Sequence, residues 1–123
     1  MKKLIGLSLV LVLAIFVVTS IALADYGKSN SLAGVIKEYK TLRPLSGTTV
    51  KLYDSYGRYK RYKNSDTTSL AGKYKFSDLK EGTYTISVVK NGYRNPNDMK
   101  KNVVSRVIRV DGNDRKNLYL QRI

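Results

Sequence analysis

The chain has 123 residues, a formal net charge of +14 at pH 7, ten tyrosines, and no histidine, cysteine or tryptophan. Without histidine and cysteine there is no zinc site of the Cys/His kind, no haem or iron–sulfur ligation by those residues, no thiol nucleophile and no imidazole base. The length suits one domain, and a hydrophobic content of 42% separates the chain from charged disordered sequences that cannot form a core.

Met1, Lys2 and Lys3 form a positive start, and Leu4 to Val18 is apolar or small throughout, interrupted only by Gly6 and Ser8. With Ala22-Leu23-Ala24 supplying a small-x-small pattern, this reads as a signal peptide over residues 1–24, cleaved between Ala24 and Asp25. The alternative is a hydrophobic signal helix kept as an anchor, since Leu4 to Ala24 is long enough to cross about 30 Å of hydrocarbon. Lipid attachment at the cleavage site would need a cysteine. Residues 25–31 form a polar lead before a domain over 32–123. Because the leader holds only Lys2 and Lys3, the positive charge belongs to that domain. The expected location is secreted or periplasmic, with a membrane met only through an uncleaved leader.

No later segment keeps a helical period for three turns. Seven strands are predicted instead, at about 32–39, 48–54, 59–65, 73–76, 83–90, 102–110 and 116–122. Turn residues separate them: Ser46-Gly47, Tyr56-Gly57, Ala71-Gly72, Glu81-Gly82 and Asn91-Gly92, with Asp111-Gly112-Asn113 read as a hairpin turn joining the last two. Tyr84, Ile86 and Val88 alternate with Thr83, Thr85 and Ser87, so that segment has one apolar and one hydroxyl-bearing face. Seven short strands with one apolar face each predict an all-β, antiparallel Greek-key β-sandwich. Gly47 and Gly72 begin strands at sharp turns, and Gly82 is expected to let the chain reverse. Phe76, Leu79 and Ile86 are core candidates. Tyr84 is expected to fill the core edge, with its hydroxyl on a loop carbonyl or water.

The ordered series Leu32-x-Gly34-x-Ile36, Pro44 to Leu52, Gly72-Lys73-Tyr74-Lys75-Phe76, Leu79 to Val88 and Gly92-Tyr93 resembles the carboxypeptidase regulatory-like family. Its relatives include the transthyretin-like (prealbumin-like) sandwich and the B-type repeats of bacterial adhesins. The resemblance covers about 31–122 and implies the fold and an accessory role beside other proteins. It also implies departures. Asp66 stands without a close acidic neighbour, so a calcium site is not expected. Val88 takes the place of the acid that assists isopeptide formation in adhesin repeats, so no isopeptide is expected. Hydroxyisourate hydrolases of the wider family rely on histidines that this chain lacks.

No catalytic residue, metal site or cofactor is assigned. Asp111 and Asp114 are the nearest acid pair and read as turn chemistry. The feature left over is Tyr53, Tyr56, Tyr59 and Tyr62, every third residue, interleaved with Arg58, Lys60, Arg61 and Lys63 and free of acids between Asp54 and Asp66. Spacing places Tyr53 and Tyr59 on one side of a hairpin. Tyrosine with arginine and lysine suits anionic polymers through stacking, cation–π contact and charge. The competing reading is an edge strand whose lysines deter unwanted pairing. The binding surface named from sequence is Tyr56, Arg58, Tyr59, Lys60, Arg61, Tyr62 and Lys63. The expected partner is a protein or an anionic envelope polymer; a polysaccharide is a further candidate, and sequence-specific nucleic acid is not expected. The alternative function is a carbohydrate-binding module of starch-binding-like fold.

Overall fold

The computed structural model describes residues 29–56 and 59–123, with Tyr56 described by its backbone alone. The signal segment, its cleavage site at Ala24 and Asp25, and Arg58 lie outside the described residues.

Two sheets face each other. The first runs β4 (Lys73–Leu79), β1 (Asn30–Glu38), β9 (Leu118–Arg122) and β6 (Tyr93–Arg94), with β8 (Asn113–Arg115) also beside β1. The second is β3 (Tyr59–Thr67), β2 (Thr49–Tyr56), β5 (Gly82–Val89) and β7 (Val104–Val110), antiparallel throughout. The all-β sandwich is the fold class the alternation called for. In the first sheet β1 runs parallel to β8 and β9 while pairing antiparallel with β4.

Among the described residues nine strands stand where seven were expected. Tyr93–Arg94 pairs for two residues with β9, and Asn113–Arg115 forms a further strand, β8, ahead of the last expected one, which stands as β9. The Asp111-Gly112-Asn113 hairpin is corrected: β7 belongs to the second sheet and β8 to the first, so this turn carries the chain between layers. Its chemistry is the same in both cases, with the Asp111 amide donating to Asp114 Oδ2 at 3.0 Å. The first strand also begins earlier than residue 32. Asn30 is buried, pairs with Leu79, and donates from Nδ2 to the Leu79 carbonyl at 3.1 Å.

Period-two alternation places Leu32 and Ile36, Val50 and Leu52, Tyr74 and Phe76, Ile86 and Val88, Val104 and Val110, and Leu118 and Leu120 between the layers, all nearly inaccessible. Leu79 and Tyr84 close this core where β4 hands over to β5. Such a continuous apolar layer supplies the core that a cysteine-free domain of this size needs. Val88 is fully buried against this layer.

Two glycines are required by space. A Cβ at Gly34 would sit 1.8 Å from the Lys116 carbonyl oxygen. Gly72 has φ +72, and its Cβ would come within 2.7 Å of the Ile36 oxygen. Gly47, at φ +64, turns into β2. Gly82 differs from expectation: its φ is not positive, and a Cβ there would meet nothing nearer than the Tyr84 ring at 3.9 Å.

Above Gly34, the Tyr74 hydroxyl donates to the Lys116 carbonyl at 2.6 Å, and burial pushes its ionisation far above the ordinary tyrosine value. The Gly34→Ala variant is expected to lose about 3 kcal/mol, because backbone rather than a flexible side chain must move; urea unfolding measures it. The sign for Tyr74 follows from linkage. Its raised folded pKa contributes stability that is complete below the unfolded value of 10.0 and is lost as pH climbs toward the folded value. Tyr74→Phe is expected to cost about 1–2 kcal/mol at neutral pH and to flatten the alkaline loss, as read by urea midpoints across an alkaline series.

Candidate functional site

The β2–β3 hairpin arises from two segments rich in tyrosine and β-branched or hydroxyl side chains joined at Tyr56-Gly57. Its register changes partway. Leu52 pairs with Asn64 but Tyr53 pairs with Tyr62, so Lys63 is an extra residue on β3. That bulge reverses the faces of everything between it and the turn. The expectation that Tyr53 and Tyr59 share a side is therefore corrected. Tyr53 instead meets Tyr62, ring centroids 5.9 Å apart and planes at 72°, an edge-to-face contact. Tyr59 pairs with Tyr56 on the opposite face and is 78% exposed.

Lys60, Tyr62 and Lys63 are exposed, as is β3 from Tyr59 to Ser65. Arg61 binds Asp54 across the hairpin, Nη2 to Oδ2 at 3.2 Å. Of the named surface residues, Tyr59 to Lys63 thus fall on one edge strand, divided between its two faces, while Tyr56 ends the neighbouring strand β2. Asp66 at its far end is engaged: Oδ1 accepts from the Thr67 amide and Oδ2 from the Lys75 amide, both at 2.9 Å. Among the described residues no three carboxylates converge as a metal site would require.

Asp54 has a second role. Oδ1 is buried and has no hydrogen-bond partner among the described residues, and the carboxylate lies close enough to Tyr84 to act on it. The Tyr84 hydroxyl donates to the Lys80 carbonyl at 2.6 Å. Burial chiefly, and the Asp54 charge after it, raise the ionisation of Tyr84 above the ordinary value.

The sequence reading left the rest of this sheet face unassigned. Beside Tyr53, a shallow concavity of about 340 Å³ is lined by Thr49, Lys51, Tyr53, Ser87, Val89 and Val103. Tyr53 lies between Tyr62 and Thr85 in the ladder, and Thr85 is itself buried although it points away from the core. Ser87 and Ser105 hydroxyls meet at 2.8 Å. The face is thus a hydroxyl-bearing trough with an aromatic pair and lysines along one margin. The alternation of Lys51, Tyr53 and Ser55 was the available signal. A second cleft of about 220 Å³, between β9 and the connection after β6, has Tyr39, Tyr119, Arg106 and Lys116 around Val104 and Leu118.

Comparison with known proteins agrees with this architecture. The family model described as SpaA, prealbumin-like fold domain, matches residues 32–116. Among solved structures, the chain is similar to a DUF3823 family protein from Bacteroides uniformis, at TM-score 0.60 and 13% identity, covering 77% of this chain and 44% of that one. It is similar to the shaft pilin SpaA of Lactobacillus rhamnosus GG, at TM-score 0.52 and 14% identity, covering 77% and 47%. It is also similar to the pilus adhesin RrgA of Streptococcus pneumoniae, at TM-score 0.52 and 17% identity, covering 76% and 15%. At these identities the likeness is one of fold, and this chain spans less than half of each solved chain. No curated protein matches.

Removing the charge at Asp54 tests its coupling to Tyr84. Asp54→Asn is expected to bring Tyr84 ionisation down toward the ordinary value, since a phenolate no longer forms beside a carboxylate. Ultraviolet-monitored alkaline titration, with Tyr84→Phe to assign the signal, checks this.

Proposed function

We propose, since the chain belongs to the SpaA prealbumin-like fold domain family, that it is a non-enzymatic binding module exported to the cell envelope, where it engages an anionic surface polymer. The observation that carries this is β3: solvent-facing along its length, it presents Tyr59, Lys60, Tyr62 and Lys63 with no acid between Asp54 and Asp66. Asp54, the acid facing it across the hairpin, is matched to Arg61. Arg58 extends this cationic run in the sequence.

Several features support the reading. The trough beside Tyr53 runs along the same sheet and offers hydroxyls and an aromatic pair to an extended chain. The solved relatives named a shaft pilin and a pilus adhesin suggest a cell-surface setting, which agrees with the leader in the sequence. The lack of histidine and cysteine, and the use of Asp111 and Asp114 in a turn, favour a module that does not catalyse. The ordered motifs also support the narrower kinship with carboxypeptidase regulatory-like domains. A protein partner for this surface is the second occupant the charge allows.

A linear polymer of phosphodiester units is the discriminating probe. Retention is expected to weaken steeply with salt, and Lys60→Ala with Lys63→Ala is expected to lower the slope of log affinity against log salt by roughly two. Retention on a neutral glycan, insensitive to salt and abolished by Tyr59→Ala with Tyr62→Ala, would move the assignment to the carbohydrate-binding alternative. Binding to neither would favour the protein partner.

A further inference from the structure

The two ends of the sandwich differ in chemistry. Asp54, Asp78, Glu81, Asp111 and Asp114 lie toward the end where β2, β4 and β7 finish and β5 begins, with the start of β1. At the opposite end Asp66, near the close of β3, is engaged by the Thr67 and Lys75 amides, and three connections, over 39–48, 68–72 and 90–92, contain no aspartate or glutamate and carry Lys40, Arg43 and Lys90, the last donating to the Ser46 carbonyl at 2.7 Å. Glu38, just before them, is buried, and its Oε2 accepts from the Thr41 amide at 2.5 Å and hydroxyl at 2.8 Å. These bonds hold its ionisation below the ordinary value, so its charge is committed inside the turn.

This end also displays exposed apolar side chains. Leu70 is 91% exposed, Leu42 58% and Tyr39 51%. Leu42 has φ +60, a left-handed conformation that a branched L-residue adopts at an energetic cost. The turn is nonetheless closed: the Leu42 amide donates to the Glu38 carbonyl at 2.9 Å, and the Glu38 amide to the Arg43 carbonyl at 2.8 Å. Leu70 is the second residue of a turn closed from the Gly72 amide to the Ser69 carbonyl at 2.8 Å.

The two turns are fastened to each other. The Ile36 amide donates to the Gly72 carbonyl at 2.8 Å, the Thr68 hydroxyl to the Leu45 carbonyl at 2.6 Å, and the Thr48 amide to the Thr68 hydroxyl at 2.8 Å. Both leucines therefore stand exposed on two hydrogen-bonded, mutually tied turns, with Lys40 and Arg43 beside Leu42 in the chain. A protein pocket recognises such a tip only by matching its shape, whereas an acyl layer accepts isolated convex apolar groups and anionic headgroups pair with the cations around them.

We propose that this end of the domain is a bilayer-contacting tip, with Leu42 and Leu70 entering the headgroup–acyl boundary of an anionic membrane and Lys40 and Arg43 at phosphate level. It stands apart from the β3 surface, which lies toward the other end, and it adds a membrane contact that does not pass through the leader.

The chain has no tryptophan, so Leu42→Trp and Leu70→Trp give single reporters, the second at a position without positive φ. With phosphatidylglycerol-containing vesicles, both are expected to shift to the blue and to be quenched by acyl-brominated lipid, while a Lys60→Trp control on β3 stays solvent-like. Leu42→Ser with Leu70→Ser is expected to reduce vesicle affinity at least about tenfold while leaving retention on the phosphodiester polymer unchanged. Circular dichroism of each variant confirms the sheet. Unshifted emission at both positions in vesicles that pellet the protein overturns the proposal. So does an equal shift with pure phosphatidylcholine, or a shift that appears with protein concentration alone, which would assign the tip to self-association.

Discussion

The Lys116 carbonyl lying over Gly34 is the contact on which the first sheet closes. Along one side of β1 the partner changes from β8 to β9, and between them Lys116 and Asn117 leave the ladder. Their groups still satisfy β1: the Lys116 amide donates to the Ala33 carbonyl at 2.9 Å, and Asn117 Oδ1 accepts from the Val35 amide at 2.9 Å. The Tyr74 hydroxyl reaches across from β4 to the same Lys116 carbonyl. The Ala33 carbonyl and the Val35 amide thus keep partners across the gap, and the absence of a Cβ at Gly34 makes it possible. Leu118 can then enter the core opposite Ile36, which lets one strand hold three neighbours.

Much of the fold was legible because burial and period coincide. Tyr84, Ile86 and Val88 alternate cleanly and occupy the central strand of their sheet, where one face is fully covered. Where strand number and pairing depart from the pattern, the choice is tertiary and local chemistry is neutral to it. The Asp111-Gly112-Asn113 turn looks the same whether the chain returns to its own sheet or crosses to the other. The two-residue β6 and three-residue β8 are too short to show a period, and β1 determines where they pair.

The hairpin shows the same limit within the candidate site. Composition identified β3 as basic, aromatic and outward-facing. Which tyrosine meets which depended on Lys63, an extra residue that leaves no trace in composition and displaces the face assignment by one. The outcome is chemically consequential: with Lys63 inserted, Tyr62 packs on Tyr53 over the hydroxyl face, and Arg61 reaches Asp54 on the other. The bulge therefore sorts one basic, aromatic run into an aromatic margin and a paired guanidinium.

Edge protection and binding are usually set against each other as explanations for lysines on an outer strand, yet here they follow from one arrangement. A bulge and exposed cations deter a second copy of β3 from adding to the sheet, because like charges would face one another along the strand. The same cations are attractive to a polyanion, which brings no competing backbone ladder. Of the carboxylates toward that end, Asp54, directly across the hairpin from β3, is paired with Arg61, and Glu81 with Arg109, so the acid nearest β3 is matched by a cation of its own. A strand can thus repel its own kind with the same cations that suit a polymer of opposite sign, so edge protection and the proposed binding need no separate residues.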